Sequence, residues 1–107
     1  MTAMISALAE KQAEIADLCT HYGVQRLEVF GSAVSEHDFD PRESDVDFIV
    51  EFRPDHDLGP WIGQYFALRD ALSKVVGYPV DLVMSTAMKN SHFIREANRT
   101  RRLVYGA

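Results

Sequence analysis

The chain has 107 residues, 47% of them hydrophobic and 25% charged, which is enough for one core and predicts a single domain over residues 1–107. Its formal net charge of −5 argues against general nucleic-acid binding, because neutralising a phosphate backbone requires an excess of lysine and arginine. Cys19 is the only cysteine and cannot form an internal disulfide, and no apolar run is long enough to span a membrane. We therefore expect a cytoplasmic protein that does not enter a membrane.

The charges are distributed unevenly along the chain. Nine acidic residues lie between Glu36 and Asp57, a segment with only two arginines. An acidic middle suits a site that holds cations, and a basic end suits an anionic partner or substrate. A run of arginines is more often a solvated face, so the basic end allows both interpretations. Its cations are Lys89, Arg95, Arg99, Arg101 and Arg102.

The first 43 residues predict a helix, a strand and a polar loop. Apolar residues at helical spacing indicate an amphipathic helix from about Ala3 to His21, and Gly23 is placed to end it. A short strand is expected at 26–30. The Gly31-Ser32 turn then leads into a short helical piece and a polar loop that contains Pro41.

The strand signal is clearest at Asp45 to Phe52. Strict alternation places Val46, Phe48, Val50 and Phe52 on one face, and the opposite face carries Asp45, Asp47, Ile49 and Glu51. The elements expected after this strand are a helix from Pro60, a break at 77–79, a strand at 80–83, a helix from about Ala87 to Asn98, and an edge strand at 103–105.

This order of elements predicts the fold class. Helices and strands alternate along most of the chain, which favours an α/β (α+β) domain. We expect a small mixed sheet of three to four strands, with the helices packed mainly on one face.

Two acids on one strand suggest a metal site. Asp45 and Asp47 project from the same face, with Cα atoms roughly 6.5–7 Å apart in ordinary strand geometry. Two like charges at this separation repel unless a cation neutralises them, and carboxylate oxygens favour Mg²⁺. Asp81 would bring a third carboxylate if its strand is a neighbour. In the alternative interpretation Asp45 caps the loop, Asp47 faces water and Asp81 begins an edge strand.

Gly31-Ser32 is a candidate phosphate turn. Glycine turns the backbone without a Cβ clash directly after a strand, and the free amides that follow can hold a phosphate, with the serine hydroxyl as a further donor. A Gly-Ser turn alone is more often a simple helix cap. The acids nearby favour the phosphate interpretation.

Together these motifs resemble the Gly-Ser…Asp-x-Asp signature of the polymerase-beta-like nucleotidyltransferase superfamily, and especially its minimal, MNT-type members. The resemblance extends along most of the chain: a leading helix, Asp-Phe-Asp-Pro at 38–41, the strand containing Asp81, and the Ile94-Arg95-Glu96-Ala97 helix near a Val-Tyr-Gly-Ala end. It implies a nucleotidyltransferase-like fold and Mg²⁺-dependent transfer of a nucleoside monophosphate, with ATP as the expected donor of AMP, to a hydroxyl group.

The resemblance also implies roles for individual residues. Gly31, Ser32 and Ser44 would bind the nucleotide. The catalytic and metal-binding residues would be Asp45, Asp47 and Asp81, with Asp81 assisting the attacking hydroxyl as a base or a metal ligand. The sequence departs from the family pattern Gly-Ser-x-Ala-Arg-Gly, since neither the arginine nor the second glycine follows Ser32. Losing that cation should weaken triphosphate binding.

Three functions fit this resemblance. The first is the antitoxin of a toxin–antitoxin pair, which adds AMP to a HEPN-type helical partner. The second is a catalytically weak module of the same fold that blocks its partner by contact. The third, ranked lowest because 107 residues leave no room for an acceptor domain, is transfer to a small hydroxyl compound such as an aminoglycoside.

Overall fold

The computed structural model describes residues 5–35, 37–53, 61–85 and 90–106. No helix within these ranges is long and apolar enough to cross a lipid bilayer. The elements follow in the order α1 (Ser6–Ala9), α2 (Gln12–His21), β1 (Val24–Phe30), a 3-10 helix (Gly31–Val34), β2 (Val46–Phe52), α3 (Trp61–Val76), β3 (Val80–Met84), α4 (Ser91–Thr100) and β4 (Arg102–Tyr105).

The prediction of a single helix from about Ala3 to His21 is wrong in one respect, because the chain forms two helices in this segment. Helix α1 ends before Glu10, and α2 begins after Lys11, whose backbone is not helical at φ −110° and ψ 16°. Leu8 and Ile15 are both fully buried. They are seven residues apart and would share a face in one continuous helix as well, so the apolar pattern does not reveal the break. Ala3 lies outside the described residues.

The other boundaries differ from the predictions by a few residues. Strand β1 begins at Val24 rather than Arg26, and β3 and β4 are each one residue longer than expected. The last helix was expected from Ala87 to Asn98, but α4 spans Ser91–Thr100, with Asn90 as its cap: the Asn90 Oδ1 accepts a hydrogen bond from the Phe93 N–H at 3.1 Å. The predicted starts at Pro60 and Ala87 lie outside the described residues.

The four strands form one mixed sheet in the order β3-β2-β1-β4. Strand β1 pairs antiparallel with β2 and with β4, whereas β2 and β3 are parallel. The Val46 N–H donates to the Pro79 carbonyl at 2.9 Å, which extends the β2–β3 pairing to the start of both strands. The predicted small mixed sheet, with four strands, and the edge position of the last strand are therefore confirmed.

The sheet has one face in the main core and a second face that is partly covered. Val46, Phe48 and Val50 point into the main core, which packs the sheet against α1, α2 and α3. On the second face, Phe30 and Ile49 pack with Ala97 of α4 in a smaller cluster. The prediction that the helices lie mainly on one face is confirmed, with α4 as the exception. Asp47 and Asp81, two of the acids predicted as ligands, lie on this second face.

Candidate active site

The strand pairing brings Asp47 and Asp81 together. They are direct partners in the parallel register of β2 and β3, and each is the second residue of its strand. Paired residues point to the same face of a sheet, so both carboxylates project on the face opposite the main core. Asp45 lies two residues before Asp47, just ahead of β2. Asp47 is half-buried, whereas Asp45 and Asp81 are exposed. The sequence predicted that Asp81 would bring a third carboxylate only if its strand were a neighbour of the strand that carries Asp47. The two strands are neighbours.

The antiparallel partner of β2 brings the Gly-Ser turn to the same place. Phe30, the last residue of β1, pairs with Asp47, so the chain leaves β1 beside that carboxylate. Gly31 then turns the backbone at φ +76°, and a Cβ built on it would lie 3.0 Å from the Asp47 Oδ2. Positive φ and this close approach both require glycine. The turn and the two acids are therefore held together by strand pairing and not by loop contacts alone.

The residues after Gly31 form one turn of 3-10 helix. Ser32 is half-exposed, and Ala33 and Val34 are buried in the main core. The first N–H groups of such a helix have no partner within it, and they are available to an anion unless another group accepts from them. One of them is already bonded, because the Gly31 N–H donates to the Thr100 Oγ1 at 2.9 Å. The nucleotide-binding roles of Gly31 and Ser32 stay predictions.

Ser44 has a partner inside its own loop. Its Oγ accepts a hydrogen bond from the Asp40 N–H at 3.0 Å, and its N–H donates to the Asp40 carbonyl at 2.8 Å. These two bonds close the loop immediately before β2 and fix where Asp45 leaves it. A nucleotide-binding role for Ser44 stays a prediction, and the structure assigns its hydroxyl to loop closure.

The acids make the site strongly negative. Burial, then the neighbouring charges of Asp81 and Asp45, raise the pKa of Asp47 from 3.8 to about 6. Burial and the two neighbouring acids thus disfavour the ionised form of Asp47, and a bound cation would offset this effect. Raised pKa values of this kind, from burial plus a specific charged neighbour, are typical of functional sites.

The donor set fits a hard divalent cation. Asp45, Asp47 and Asp81 offer only carboxylate oxygens, the donors that Mg²⁺ prefers, and the paired positions of Asp47 and Asp81 place two of them side by side. Among the described residues, no three His, Cys, Asp or Glu side chains converge closely enough to enclose a metal ion by themselves. The metal-binding roles of the three acids stay predictions.

A second charged group on the same face was not predicted from the sequence. Glu28 of β1 is only 6% exposed, and its carboxylate accepts two hydrogen bonds from Arg101, from Nε at 3.0 Å and from Nη2 at 2.6 Å. Arg26 Nε lies 3.3 Å from the same carboxylate. The Arg101 hydrogen bonds are the largest cause that lowers the pKa of Glu28. Arg101 thus has an internal partner, although the sequence placed it with the arginines available to a partner or substrate.

Only part of this pair has a signal in the sequence. Alternation along β1 places Glu28 on the face opposite Leu27 and Val29, a position where an acid needs a partner. Arg101, however, is 73 residues away, and nothing local links the two. Thr100, which bonds to Gly31, carries no local signal either.

The sheet brings the Gly-Ser turn and the paired acids to one place, and comparisons with known proteins identify the family of the chain. The profile of the family described as "Polymerase beta, Nucleotidyltransferase" matches residues 13–107. The chain therefore belongs to the polymerase beta nucleotidyltransferase family. A candidate protein adenylyltransferase of Methanocaldococcus jannaschii is 35% identical over 71 residues, which is 66% of this chain and 66% of that protein.

Solved structures have the same fold. A candidate minimal nucleotidyltransferase superimposes with a TM-score of 0.69 at 22% identity and covers 95% of both chains. A Shewanella oneidensis complex of a tri-AMPylated HEPN toxin with its MNT antitoxin gives a TM-score of 0.62 at 18% identity, covering 94% of this chain and 73% of that one. A toxin–antitoxin structure with AMP-PNP gives 0.65 at 18% identity, covering 90% and 73%. The predicted resemblance to minimal nucleotidyltransferases is confirmed.

Proposed function

We propose that this chain is a Mg²⁺-dependent nucleotidyltransferase that moves AMP from ATP to a hydroxyl group of a partner protein. We further propose that it is the antitoxin of a pair whose toxin is a HEPN-type helical protein. The observation that carries the proposal is the register pairing of Asp47 with Asp81, directly beside the Gly31 turn. The names of the relatives support it: one similar protein is a candidate protein adenylyltransferase, and one similar structure is a complex with an AMPylated HEPN toxin.

The positions of the chain's own side chains support the following roles. Asp45, Asp47 and Asp81 would hold Mg²⁺, which when bound neutralises charge on the triphosphate and on the leaving pyrophosphate. Asp47 is half-buried and fixed by strand pairing, so its carboxylate gives the site a defined position. The Ser32 hydroxyl and the unbonded N–H groups of the 3-10 helix would hold phosphate oxygens.

We assign the proton transfer to Asp81. It is exposed beside Asp47, so an incoming hydroxyl can reach it from solvent or from a partner surface. In the transfer, the hydroxyl oxygen bonds to the α-phosphorus of ATP, the bond from that phosphorus to the bridging oxygen breaks, and pyrophosphate leaves. The hydroxyl proton passes to an Asp81 Oδ.

One observation favours the contact-only alternative. The family pattern places an arginine at the position of Ser35, and here the Ser35 Oγ accepts a hydrogen bond from the His37 N–H at 3.2 Å. A short serine committed to a turn supplies no cation to a triphosphate. A chain that binds ATP weakly for this reason could still inhibit its partner protein by binding to it and blocking its surface.

A labelling experiment separates the two functions. The protein, Mg²⁺, ATP labelled on the α-phosphate and a candidate HEPN-type partner protein are incubated, and label on that partner is measured together with its ribonuclease activity. We expect label with the wild-type protein and with Asp70→Asn, an exposed α3 position that controls for loss of one acid. We expect none with Asp47→Asn. Inhibition of the partner without label, unchanged by Asp47→Asn, would instead establish the contact-only function.

A further inference from the structure

The carboxyl-terminal end of α4 is bonded directly to the Gly-Ser turn. The Gly31 N–H donates to the Thr100 Oγ1 at 2.9 Å, and the Thr100 hydroxyl donates in turn to the Ala97 carbonyl at 3.4 Å. The two bonded residues are 69 positions apart in sequence. Thr100 thus uses both hydrogen-bonding capacities of its hydroxyl, accepting from the turn and donating back into its own helix.

Several contacts hold this end of α4 in place. Arg101, the next residue, makes its two hydrogen bonds to buried Glu28 of β1, and its N–H donates to the Ala97 carbonyl at 2.8 Å. Phe93 packs edge-on against Phe30, with ring centroids 5.5 Å apart. Strand β1 is therefore fixed to α4 at Glu28 and at Phe30, immediately before the turn begins. These contacts fix the position of the Thr100 hydroxyl, which accepts the hydrogen bond from the Gly31 N–H.

We propose that Thr100 is a positioning residue of the nucleotide site, acting through the backbone of Gly31; this inference rests on the proposed function. The Gly31 N–H is occupied by Thr100 and so does not bind phosphate. Its bond instead sets the orientation of the peptide unit that leads into Ser32. Because the Gly31 Cα faces the Asp47 carboxylate, with space for no side chain between them, the same bond fixes the distance from the turn to the acids.

The inference predicts which atoms contact the triphosphate. The hydroxyl of Ser32 and the N–H groups that follow Gly31 in the 3-10 helix are the donors, and Thr100 contacts no part of the nucleotide. Loss of the Thr100 hydroxyl leaves the Gly31 N–H without its acceptor, and the turn is then free to move away from Asp47. The effect falls on nucleotide binding more than on the later proton transfer at Asp81.

Two substitutions at position 100 test the proposal. Thr100→Val keeps the side-chain shape and removes the hydroxyl, whereas Thr100→Ser keeps the hydroxyl. Thr20→Val is the control, since the Thr20 Oγ1 also donates to a carbonyl of its own helix, that of Ala16, and its other partner is the Tyr105 hydroxyl at 3.3 Å and not the Gly-Ser turn. For each protein, the Gly31 amide proton shift is measured by NMR without nucleotide, and the dissociation constant of MgATP is measured by calorimetry.

We expect Thr100→Val to move the Gly31 amide proton upfield and to raise the MgATP dissociation constant about five-fold, the factor that one ordinary hydrogen bond supplies. Thr100→Ser and Thr20→Val should match the wild-type protein in both measurements. In transfer assays, Thr100→Val should raise the KM for ATP with little change in kcat.

Other outcomes overturn the proposal. An unchanged Gly31 amide in Thr100→Val would mean that the bond does not form in solution. A shifted amide with wild-type MgATP affinity would leave Thr100 with a purely structural role. If Thr100→Val does not fold, Thr100→Ala against Thr100→Ser makes the same comparison. If the wild-type protein binds no MgATP, the proposed function fails, and the amide comparison alone decides whether Thr100 fixes the turn.

Discussion

Asp47→Asn should make the nucleotide-free protein more stable while removing the transfer activity that we propose for it. The pKa of Asp47 is raised from 3.8 to about 6 by burial and by the nearby Asp81 and Asp45. Above pH 6 the folded protein holds a carboxylate that the unfolded chain, where its pKa is ordinary, accommodates more easily. Asparagine is nearly isosteric with aspartate and carries no charge, so it removes this cost.

The sign and size of the effect follow from linkage. Between pH 3.8 and about 6 the native state binds a proton that the unfolded state does not, so the contribution of Asp47 to stability falls as pH rises through this window. At about 1.4 kcal/mol per pKa unit, the full difference corresponds to about 3 kcal/mol above pH 6. Because Asp47 is only partly buried, screening by solvent reduces this, and we expect a gain of about 2 kcal/mol at pH 8.

The assay is denaturant unfolding of both proteins in EDTA at pH 4, 6 and 8. The free energy of unfolding of Asp47→Asn should exceed that of the wild type by about 2 kcal/mol at pH 8, by less at pH 6 and by close to nothing at pH 4. Asp70→Asn, an exposed acid on α3, should follow the wild type at every pH. A difference that is independent of pH, or an Asp47→Asn protein that is less stable at pH 8, would refute the reasoning.

Two further substitutions have equally direct expectations. Gly31→Ala places a methyl group 3.0 Å from the Asp47 Oδ2 at φ +76°, so we expect it to lower the free energy of unfolding by about 1–2 kcal/mol and to abolish transfer activity. Gly77→Ala is the control: φ is +80° there, but no other atom lies within 4 Å of the added Cβ. It should lower the free energy of unfolding by a similar amount and keep the activity. Retained transfer in Gly31→Ala would contradict this. Arg101→Met should cost about 2 kcal/mol in urea unfolding at pH 7, because it leaves buried Glu28 without its main partner. Arg101 lowers the pKa of Glu28, so the loss of unfolding free energy in Arg101→Met should be present above pH 4.5 and shrink as pH falls below it. If this loss is the same at every pH, packing and not charge is responsible for it.

The parts of the fold that local pattern determines were predictable from the sequence. Alternation between Asp45 and Phe52 is enough to identify β2 and to assign Val46, Phe48 and Val50 to the core face. The same alternation places Asp47 on the opposite face. The pairing of Asp47 with Asp81 could be stated only conditionally, because the order and direction of strands depend on contacts between distant segments.

The interactions that complete the site were not predictable, since each joins distant parts of the chain. The Thr100–Gly31 bond and the Arg101–Glu28 pair arise from the way α4 docks on the second face, and neither residue in isolation has a special pattern. The break between α1 and α2 was missed for a different reason. An apolar repeat of seven residues looks the same in one continuous helix and in two short helices that pack on the same core.

The segment after Ser32 lacks the arginine that the resemblance to minimal nucleotidyltransferases leads us to expect, and the structure shows what this segment contacts instead. Ala33 and Val34 are buried, and the Ser35 N–H donates to the Ser32 carbonyl at 3.3 Å, so the segment serves packing and turn closure. Ser35 is half-exposed and occupies the position where the resemblance leads us to expect arginine.

Restoring that cation should strengthen triphosphate binding, because a charge-assisted hydrogen bond contributes about 1.5–3 kcal/mol. We therefore expect Ser35→Arg to lower the MgATP dissociation constant about ten-fold in calorimetry. Gln12→Arg, which adds the same charge at the exposed start of α2, should change it little. If both variants bind MgATP equally, net charge and not position governs the affinity, and an arginine at position 35 has no specific role in binding MgATP.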